Sequence, residues 1–229
     1  MTRKLRSKDK KLVNIITHTN PKSNIAEQYR LIRTNIHFSS VDKEIISIVV
    51  TSPEPSDGKT TTASNLAIVM AQQGKKVLLM DADLRRPSIH YAFNLSNIEG
   101  LTNVLTKQVS LDNAILKTSV PNLEILTSGP IPPNPSELLN SKALETTINE
   151  LKSKYEYIIL DTPPVLAVAD SQILASKCDG VIMVMRSGKT NKQNAIKAKE
   201  FIVKTKATLL GAILNESELD NSNYSYYHS

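Results

Sequence analysis

Short apolar runs alternate with longer amphipathic segments over most of this chain. Six runs are rich in β-branched or aliphatic residues and are too short for a helix, so each predicts a strand; the runs at residues 45–50, 77–80 and 180–185 are expected to be buried. The six runs cover residues 45–50, 77–80, 123–126, 157–160, 180–185 and 209–214. Between them, apolar residues recur three and four positions apart, which is typical of one face of an α-helix.

These amphipathic segments predict the helices that connect the strands. They cover about residues 25–38, 59–73, 100–105, 141–151 and 189–204. Gly74 follows the second helix in the usual position of a left-handed cap. In the last helix, the residues expected to face inward are Ala195, Ala198, Phe201 and Ile202. Strands that alternate with helices in this way indicate an α/β fold with a doubly wound, mostly parallel sheet.

A strand, a turn and a helix start surround the segment PSDGKTT, residues 55–61. Backbone N–H groups and the positive end of a helix bind phosphates, Lys59 would reach the β and γ phosphates of ATP, and the Thr60 hydroxyl would bind Mg²⁺. The segment departs from the pattern G-x-x-x-x-G-K-[ST], since Pro53 stands at the first glycine. It predicts a P-loop NTPase-like fold with a deviant Walker A loop; the alternative is an ordinary strand-to-helix turn.

Two residues of this loop carry specific expectations. Ser56 stands where many such loops have glycine. If that position needs a positive φ angle, serine there is strained by about 1 kcal/mol, which would weaken nucleotide binding without abolishing it. Asp57 is expected to face solvent. The predicted nucleotide-binding residues of the loop are Ser56, Asp57, Gly58, Lys59, Thr60 and Thr61.

Acidic residues follow two of the predicted strands. Asp81 and Asp83 come directly after residues 77–80, and Asp161 comes after residues 157–160. Ligands of open α/β sheets bind at the carboxyl ends of the strands, so these carboxylates would lie beside the phosphate loop. Asp81 and Asp83 could then share metal binding and general-base work, while Asp161 would hold magnesium through water. The alternative is that they are ordinary turn residues at strand ends.

Composition favours a single domain with short appendages. The chain has 229 residues, 40% of them hydrophobic, and a net charge of +6. The excess of positive charge lies largely in an arm, residues 1–20, at Arg3, Lys4, Arg6, Lys8, Lys10 and Lys11. This basic flexible arm suits an anionic membrane surface or an acidic partner, or is merely solvated. No basic stripe with interleaved aromatics continues into the body, so nucleic acid is not an expected partner.

Several classes of protein are disfavoured. The single cysteine, Cys178, excludes an internal disulfide and is expected to be a small buried residue, and the four histidines are too scattered for a zinc site. No apolar run is long enough to span a bilayer, and Met1 is followed by charged residues rather than by a signal-peptide core. We therefore expect a cytoplasmic protein, at most peripheral to a membrane.

The first predicted helix carries Glu27, Arg30 and Arg33 on one side. Spacings of three residues allow local ion pairs, and arginine also suits interfaces, so the pattern fits either a solvated face or an assembly surface.

The C-terminal tail, residues 216–229, has no apolar period. Three of the seven tyrosines, Tyr224, Tyr226 and Tyr227, lie in its last six residues. Phosphorylation there would add close to two negative charges per tyrosine near pH 7.

Several segments together carry a family resemblance that covers nearly the whole chain. They read EQYRLIRTNI, PSDGKTT, LLMDADLRRP, TSGPIPPNPSELL, YIILDTPP and LLGAILN, and the terminal tyrosine cluster completes the set. In these segments the chain resembles the bacterial tyrosine kinases of the capsule and exopolysaccharide type, whose kinase half is a separate cytoplasmic polypeptide in Gram-positive bacteria. The region from residue 21 to residue 215 would then be the kinase domain, with an oligomerisation helix at residues 24–38.

The resemblance implies an autophosphorylating protein-tyrosine kinase that uses ATP and Mg²⁺. Lys59 would stabilise the transferring phosphoryl group, and Thr60 would bind magnesium. Asp81 and Asp83 would share metal binding with deprotonation of the incoming tyrosine. Two further site residues are implied, with Asp161 completing the metal shell and Asn215 touching adenine.

The resemblance also implies how the protein assembles and what it binds. Subunits would form a ring in which the tail of one enters the active site of its neighbour, with Glu27, Arg30 and Arg33 in the assembly motif. Phosphorylation of Tyr224, Tyr226 and Tyr227 would weaken that ring. The implied partners are a membrane-embedded adaptor that activates the kinase at the inner face of the membrane, a cognate tyrosine phosphatase, and protein substrates of polysaccharide synthesis.

Three alternatives compete with this interpretation. Partitioning and division-site ATPases, the ParA and MinD class, share the deviant loop, but they carry a signature lysine where this chain has Glu54. A catalytically silent scaffold that only binds nucleotide is disfavoured by the intact Lys59, Asp81, Asp83 and Asp161. A basic nucleic-acid binder is the least favoured.

Overall fold

A computed structural model describes residues 13–39, 44–205 and 207–217 of the chain. Its strands form one sheet of seven in these residues, in the spatial order β3-β4-β2-β5-β1-β6-β7. The strands are β1 (Ser47–Thr51), β2 (Val77–Asp81), β3 (Ile115–Lys117), β4 (Leu123–Leu126), β5 (Tyr157–Asp161), β6 (Gly180–Arg186) and β7 (Thr208–Asn215). Every neighbouring pair is parallel except β3 with β4, which is antiparallel.

Ten helices surround this sheet in the part of the chain that the structure describes. They are α1 (Ile16–Thr19), α2 (Asn24–Ser39), α3 (Lys59–Ala71), α4 (Ile89–Ala92), α5 (Leu101–Leu105), α6 (Leu111–Ala114), α7 (Pro135–Leu139), α8 (Lys142–Lys154), α9 (Asp170–Ala175) and α10 (Lys192–Lys204). Ser141 caps α8, as the sequence predicts, because its hydroxyl accepts a hydrogen bond from the Leu144 N–H.

Alternate residues of the interior strand β1, which lies between β5 and β6, point to opposite faces of the sheet. Ile48 and Val50 belong to an apolar cluster with α2 and α3, whereas Val49 belongs to a second cluster with α8, α9 and α10. Helices therefore cover both faces, which is why the strands read as continuous apolar runs. The prediction of a doubly wound, mostly parallel sheet is confirmed.

The structure differs from the sequence prediction in several short elements. Strand β3 and helix α9 were not predicted, because three and six residues are too few to show a period. Helix α10 begins at Lys192 rather than at Lys189, since Asn191 caps it by accepting from the Gln193 N–H at 2.8 Å. Phe201 does not face inward: it is exposed, because Ala198 and Ile202 already occupy the buried face one turn apart.

Part of the segment assigned to the basic arm is folded onto the domain. Helix α1 packs on α3, and Thr17 is fully buried there. Its hydroxyl donates to the Asn65 side chain at 2.8 Å, and Gln72 Nε2 donates to the Thr17 carbonyl at 3.0 Å. The predicted arm of residues 1–20 is therefore too long, because its last residues belong to the folded domain. The six basic residues of the arm lie outside the described residues. Among the residues described, no helix has the length and apolar character needed to cross a bilayer.

Candidate active site

The phosphate loop connects β1 to α3 at the carboxyl edge of the sheet, as predicted. Ser56 has a φ of 69° and Gly58 a φ of 96°, both in the left-handed region. Residue 56 thus meets the condition under which serine is strained there, which the sequence left open. A Cβ added to Gly58 would lie 2.0 Å from Asn215 Nδ2, so that side chain would have to move, and the φ of 96° would strain any other residue.

Asn215, the last residue of β7, lies against this loop. Its Nδ2 donates to the Asp57 carbonyl at 3.1 Å. The structure therefore brings the predicted adenine-contacting residue to the nucleotide loop across more than 150 positions of sequence.

Asp57 does not face solvent, so that expectation is wrong. It is only 3% exposed. Its carboxylate accepts from the Glu54 N–H at 3.0 Å and from the Thr190 hydroxyl at 2.8 Å. Burial raises the pKa of Asp57, and these two hydrogen bonds oppose that rise. Asp57 is thus the anchor that ties the phosphate loop to the connection between β6 and α10.

Lys59, the first residue of α3, points to the carboxylates at the ends of the neighbouring strands. Its Nζ lies 3.2 Å from Asp83 Oδ2 and 3.6 Å from Asp161 Oδ1. Burial by itself would lower the pKa of Lys59, but the charges of Asp161 and Asp83 together raise it. The lysine is therefore an ammonium ion held between two carboxylates.

Asp81 and Asp161 are direct neighbours across the pair β2–β5. Asp81 Oδ2 accepts from the Ser88 and Ile89 N–H groups, each at 3.0 Å. Burial, and then the adjacent charge of Asp161, raise the pKa of Asp81 to about 7. Two carboxylates buried side by side cannot both ionise cheaply, which makes Asp81 a base near neutral pH.

Three buried oxygens in this group have no hydrogen-bond partner among the described residues: both of Asp161, and Oδ1 of Asp81. Buried carboxylate oxygens are costly without partners. Magnesium takes few carboxylates and fills its remaining positions with water and substrate phosphate. No group of three or more acidic, histidine or cysteine side chains in the described ranges forms a complete metal cage. The orphaned oxygens fit a magnesium ion that arrives with the nucleotide.

The remaining predicted loop residues lie at the start of α3. Thr60 Oγ1 is 3.4 Å from Lys59 Nζ and 3.5 Å from Ser88 Oγ. The Thr61 carbonyl accepts from Asn65 Nδ2 at 2.8 Å. Lys59 thus joins the loop to Asp83 and Asp161, and it lines one cavity with four other predicted loop residues: Ser56, Gly58, Thr60 and Thr61.

The predicted assembly residues lie on α2, away from these carboxylates. Arg30 Nη1 donates to Glu27 Oε2 at 2.6 Å, and its Nη2 donates to the Pro21 carbonyl at 2.6 Å. Arg33 Nη1 donates to the Val69 carbonyl at 3.0 Å. The predicted phosphoacceptors, Tyr224, Tyr226 and Tyr227, lie outside the described residues.

Several residues of the site had no signal in the sequence. Thr190 holds Asp57, and Ser88 follows the two arginines of the second acidic motif. Arg85 donates through Nε to the fully buried Asp170 at 2.8 Å, which fixes the segment after Asp83 to α9. The Thr190–Asp57 and Arg85–Asp170 contacts join residues 133 and 85 positions apart, so no local pattern could reveal them.

Three comparisons bear on identity. The model of a family described as an AAA domain matches residues 47–210. The tyrosine-protein kinase YwqD of Bacillus subtilis is 54% identical over 215 residues, which are 93% of this chain and 91% of YwqD. The crystal structure of the chimerical protein CapA2B2 superposes with a TM-score of 0.87 at 44% identity, over 90% of each chain.

A more distant structure shares the sheet. It is the septum site-determining protein MinD from Pyrococcus horikoshii, solved in complex with Mg-ADP. Its TM-score is 0.65 at 26% identity, over 76% of this chain and 72% of MinD. The fold is therefore shared with MinD, while identity over nearly the full length is with the tyrosine-protein kinase YwqD. The chain belongs to the family of bacterial tyrosine-protein kinases, as its sequence motifs predict.

Proposed function

We propose that this chain transfers the γ-phosphoryl group of ATP to tyrosines of its own C-terminal segment. The observation that carries the proposal is the placement of Lys59 between Asp83 and Asp161, directly at the phosphate loop. An ammonium and several carboxylates at a helix start are what phosphoryl transfer requires, because that reaction depends chiefly on positioning and charge stabilisation.

In the reaction, the bond between the γ-phosphorus and the β–γ bridging oxygen breaks, and a bond from the tyrosine oxygen to that phosphorus forms. ADP leaves, and the phenolic proton passes to a carboxylate. A phenol with a pKa near 10 benefits from a nearby base as its proton leaves. Asp81 and Asp83, the carboxylates at the end of β2, share this role.

Lys59 stabilises the charge of the transferring phosphoryl group. Thr60, Asp81, Asp83 and Asp161 would hold Mg²⁺, which neutralises phosphate charge when it is bound. Ser56, Asp57, Gly58 and Thr61 complete the phosphate loop, and Asn215 lies at its rim.

We further propose that α2 forms the surface on which copies of the chain assemble into a ring. Glu27 and Arg30 form an exposed pair on this helix. Leu31 and Phe38, two helical turns apart on one side of α2, are 49% and 68% exposed. Large apolar side chains beside arginine are typical of interfaces. In the ring, the tail of one copy reaches the active site of the next, and phosphorylated tyrosines then loosen the assembly.

The family resemblance extends the proposal to partners. A membrane adaptor would activate the kinase through a cytoplasmic segment at the inner face of the membrane, and a cognate phosphatase would reset the tyrosines. Proteins of capsule or exopolysaccharide synthesis would be the downstream substrates.

The test is phosphotyrosine formation by the full chain with ATP, Mg²⁺ and the adaptor's cytoplasmic segment. We expect the signal to be lost in a chain truncated after Asn221, and to fall at least on the order of 100-fold in Lys59→Met. In parallel, sizing of Arg30→Ala combined with Arg33→Ala should give a monomer.

Two results would contradict the proposal. Steady phosphate release from ATP without phosphotyrosine would favour a nucleotide-switched assembly ATPase, the second candidate, which the shared fold with MinD supports. Against that candidate, the position of the signature lysine holds Glu54, whose Oε1 accepts from Asn194 Nδ2 at 2.5 Å.

The second result that would contradict the proposal is an unchanged oligomer in the Arg30→Ala, Arg33→Ala variant, which would show that α2 is not the assembly surface.

A further inference from the structure

A cavity of about 480 Å³ opens beside the phosphate loop, and its two sides differ in chemistry. One side consists of the loop and the helix start, from Gly58 to Thr61. The lining residues from near the N-terminus are Asn14 and four apolar or aromatic ones: Val13, Ile16, Ile25 and Tyr29. Asn215 and Glu216, at the end of β7, also line it. Its volume lies within the range of about 300–1,000 Å³ that is typical of small-molecule sites.

Buried hydrogen bonds fix the apolar side in place. Asn65 of α3 is fully buried, and its Oδ1 accepts from the Thr17 N–H at 2.9 Å and from the Thr17 hydroxyl at 2.8 Å. Its Nδ2 donates to the Asn14 carbonyl at 2.7 Å and to the Thr61 carbonyl at 2.8 Å. One amide thus ties the N-terminal segment to the first turn of the helix that follows the phosphate loop.

We propose that Val13, Ile16, Ile25 and Tyr29 form the wall that binds the base and ribose of ATP, here called the base wall. A nucleotide has a charged phosphate end and a flat, largely apolar base, and this cavity offers matching surfaces to both. The inference rests on the proposed use of ATP and extends it, because it assigns nucleotide recognition to residues 13–29, a segment that comes before β1 and the phosphate loop in the chain. Apolar contact with the base wall adds affinity that a phosphate chain alone does not gain.

Ile25 is the residue at which to test the base wall. It lies in the first turn of α2 and is 47% exposed at the cavity, so shortening it leaves the core intact. A matched control is Ile196 on α10, which is 50% exposed and does not line the cavity. The ligands to compare are ADP and inorganic pyrophosphate, each with Mg²⁺, in titration calorimetry on the full chain.

We expect Ile25→Ala to weaken ADP binding about fivefold, since part of an aliphatic contact is lost, and to change pyrophosphate binding less than twofold. Ile196→Ala should change neither. The assignment of the base wall would be wrong if Ile25→Ala and the natural protein bound ADP with equal affinity. It would also be wrong if Ile25→Ala lost affinity for ADP and for pyrophosphate by the same factor. These failures are separable from failure of the kinase assignment, which appears as absent phosphotyrosine in a protein that binds ADP normally.

Discussion

Two aspartates at opposite ends of the sheet have opposite surroundings. Asp179, just before β6, accepts hydrogen bonds from the Ile46 N–H, the Ser47 N–H and hydroxyl, and Lys152 Nζ, at 2.6–3.1 Å. Asp161, at the end of β5, is fully buried, and neither of its oxygens accepts a hydrogen bond in the described residues.

The pKa shifts of the two groups run in opposite directions. Burial alone would raise the pKa of Asp179, but Lys152 and the Ser47 donors bring it below its usual value. Burial raises the pKa of Asp161, and the charge of Lys59 opposes this only in part. At the amino end of the sheet, the Asp179 carboxylate therefore stabilises the fold. At the carboxyl end, the buried charge of Asp161 destabilises the fold, and a ligand can remove that destabilisation. Natural active sites commonly carry such a cost.

The largest expected effect is that of Asp161→Asn. We expect phosphotyrosine formation to fall on the order of 100-fold, because the variant loses a charge beside the transferring phosphate. At the same time the free energy of unfolding without ligand should rise by about 2 kcal/mol at pH 7. A fully buried carboxylate that accepts no hydrogen bond in the described residues, and that has a 3.6 Å ion pair with Lys59, is replaced by a neutral amide. Because the folded-state pKa is raised, this gain should shrink as the pH falls through the folded-state pKa of Asp161 towards about 4, and it should be absent below about 4, where the carboxyl is protonated in both states.

Urea unfolding at pH 7 and pH 3, together with the kinase assay, checks this prediction. If the variant is both inactive and less stable than the natural protein, the claim that the buried charge of Asp161 destabilises the ligand-free fold is contradicted. The matched control is the same substitution at the other end of the sheet.

Asp179→Asn should have the opposite effect. We expect a loss of about 1.5 kcal/mol at pH 7, because an amide accepts more weakly from the Ile46 and Ser47 donors and no longer attracts Lys152. Activity should stay within about twofold, since the residue is remote from the phosphate loop. Because the pKa of Asp179 is lower in the folded state, its carboxylate stabilises the fold at pH values above the unfolded-state pKa of about 4. That stabilisation is lost as the pH falls through the folded-state pKa. The difference between variant and natural protein should therefore narrow at pH 3; a constant difference would exclude the charge as its cause.

The smallest expected effect is that of Ser56→Gly. Glycine adopts the φ of 69° without strain, so we expect a gain of about 1 kcal/mol, or roughly 2–4 °C in the melting temperature. Ser56→Ala keeps the Cβ and should not show this gain. Similar melting temperatures for the two variants would show that residue 56 stores no strain.

The strands, the phosphate loop and the positions of the aspartates followed from local patterns. Lys59 and Thr60 stand between a strand and a helix, and Asp81 and Asp161 end apolar runs, so their meeting at one sheet edge followed from parallel pairing alone. Asp57 shows the limit of such reasoning. Nothing near it in sequence indicates that Thr190 would bury its carboxylate, since the two residues are 133 positions apart.

The boundary between the N-terminal arm and the folded domain also could not be predicted from local patterns. Its basic residues indicate a solvated arm, yet Thr17 and Asn14 are held by one buried amide on α3. A polar contact of this kind has no periodicity, so only the folded chain shows where the arm ends and the domain begins.

By itself, the sequence determined the kind of chemistry and the elements that carry it, because phosphate loops, strand-end carboxylates and apolar periods are local properties. The tertiary structure decided the protonation of those groups and the shape of the cavity around them. Asp81 becomes a base near neutral pH only because β2 pairs with β5 and buries it beside Asp161. Electrostatic energies depend on distance and burial in space, and neither of these can be read from separation along the chain.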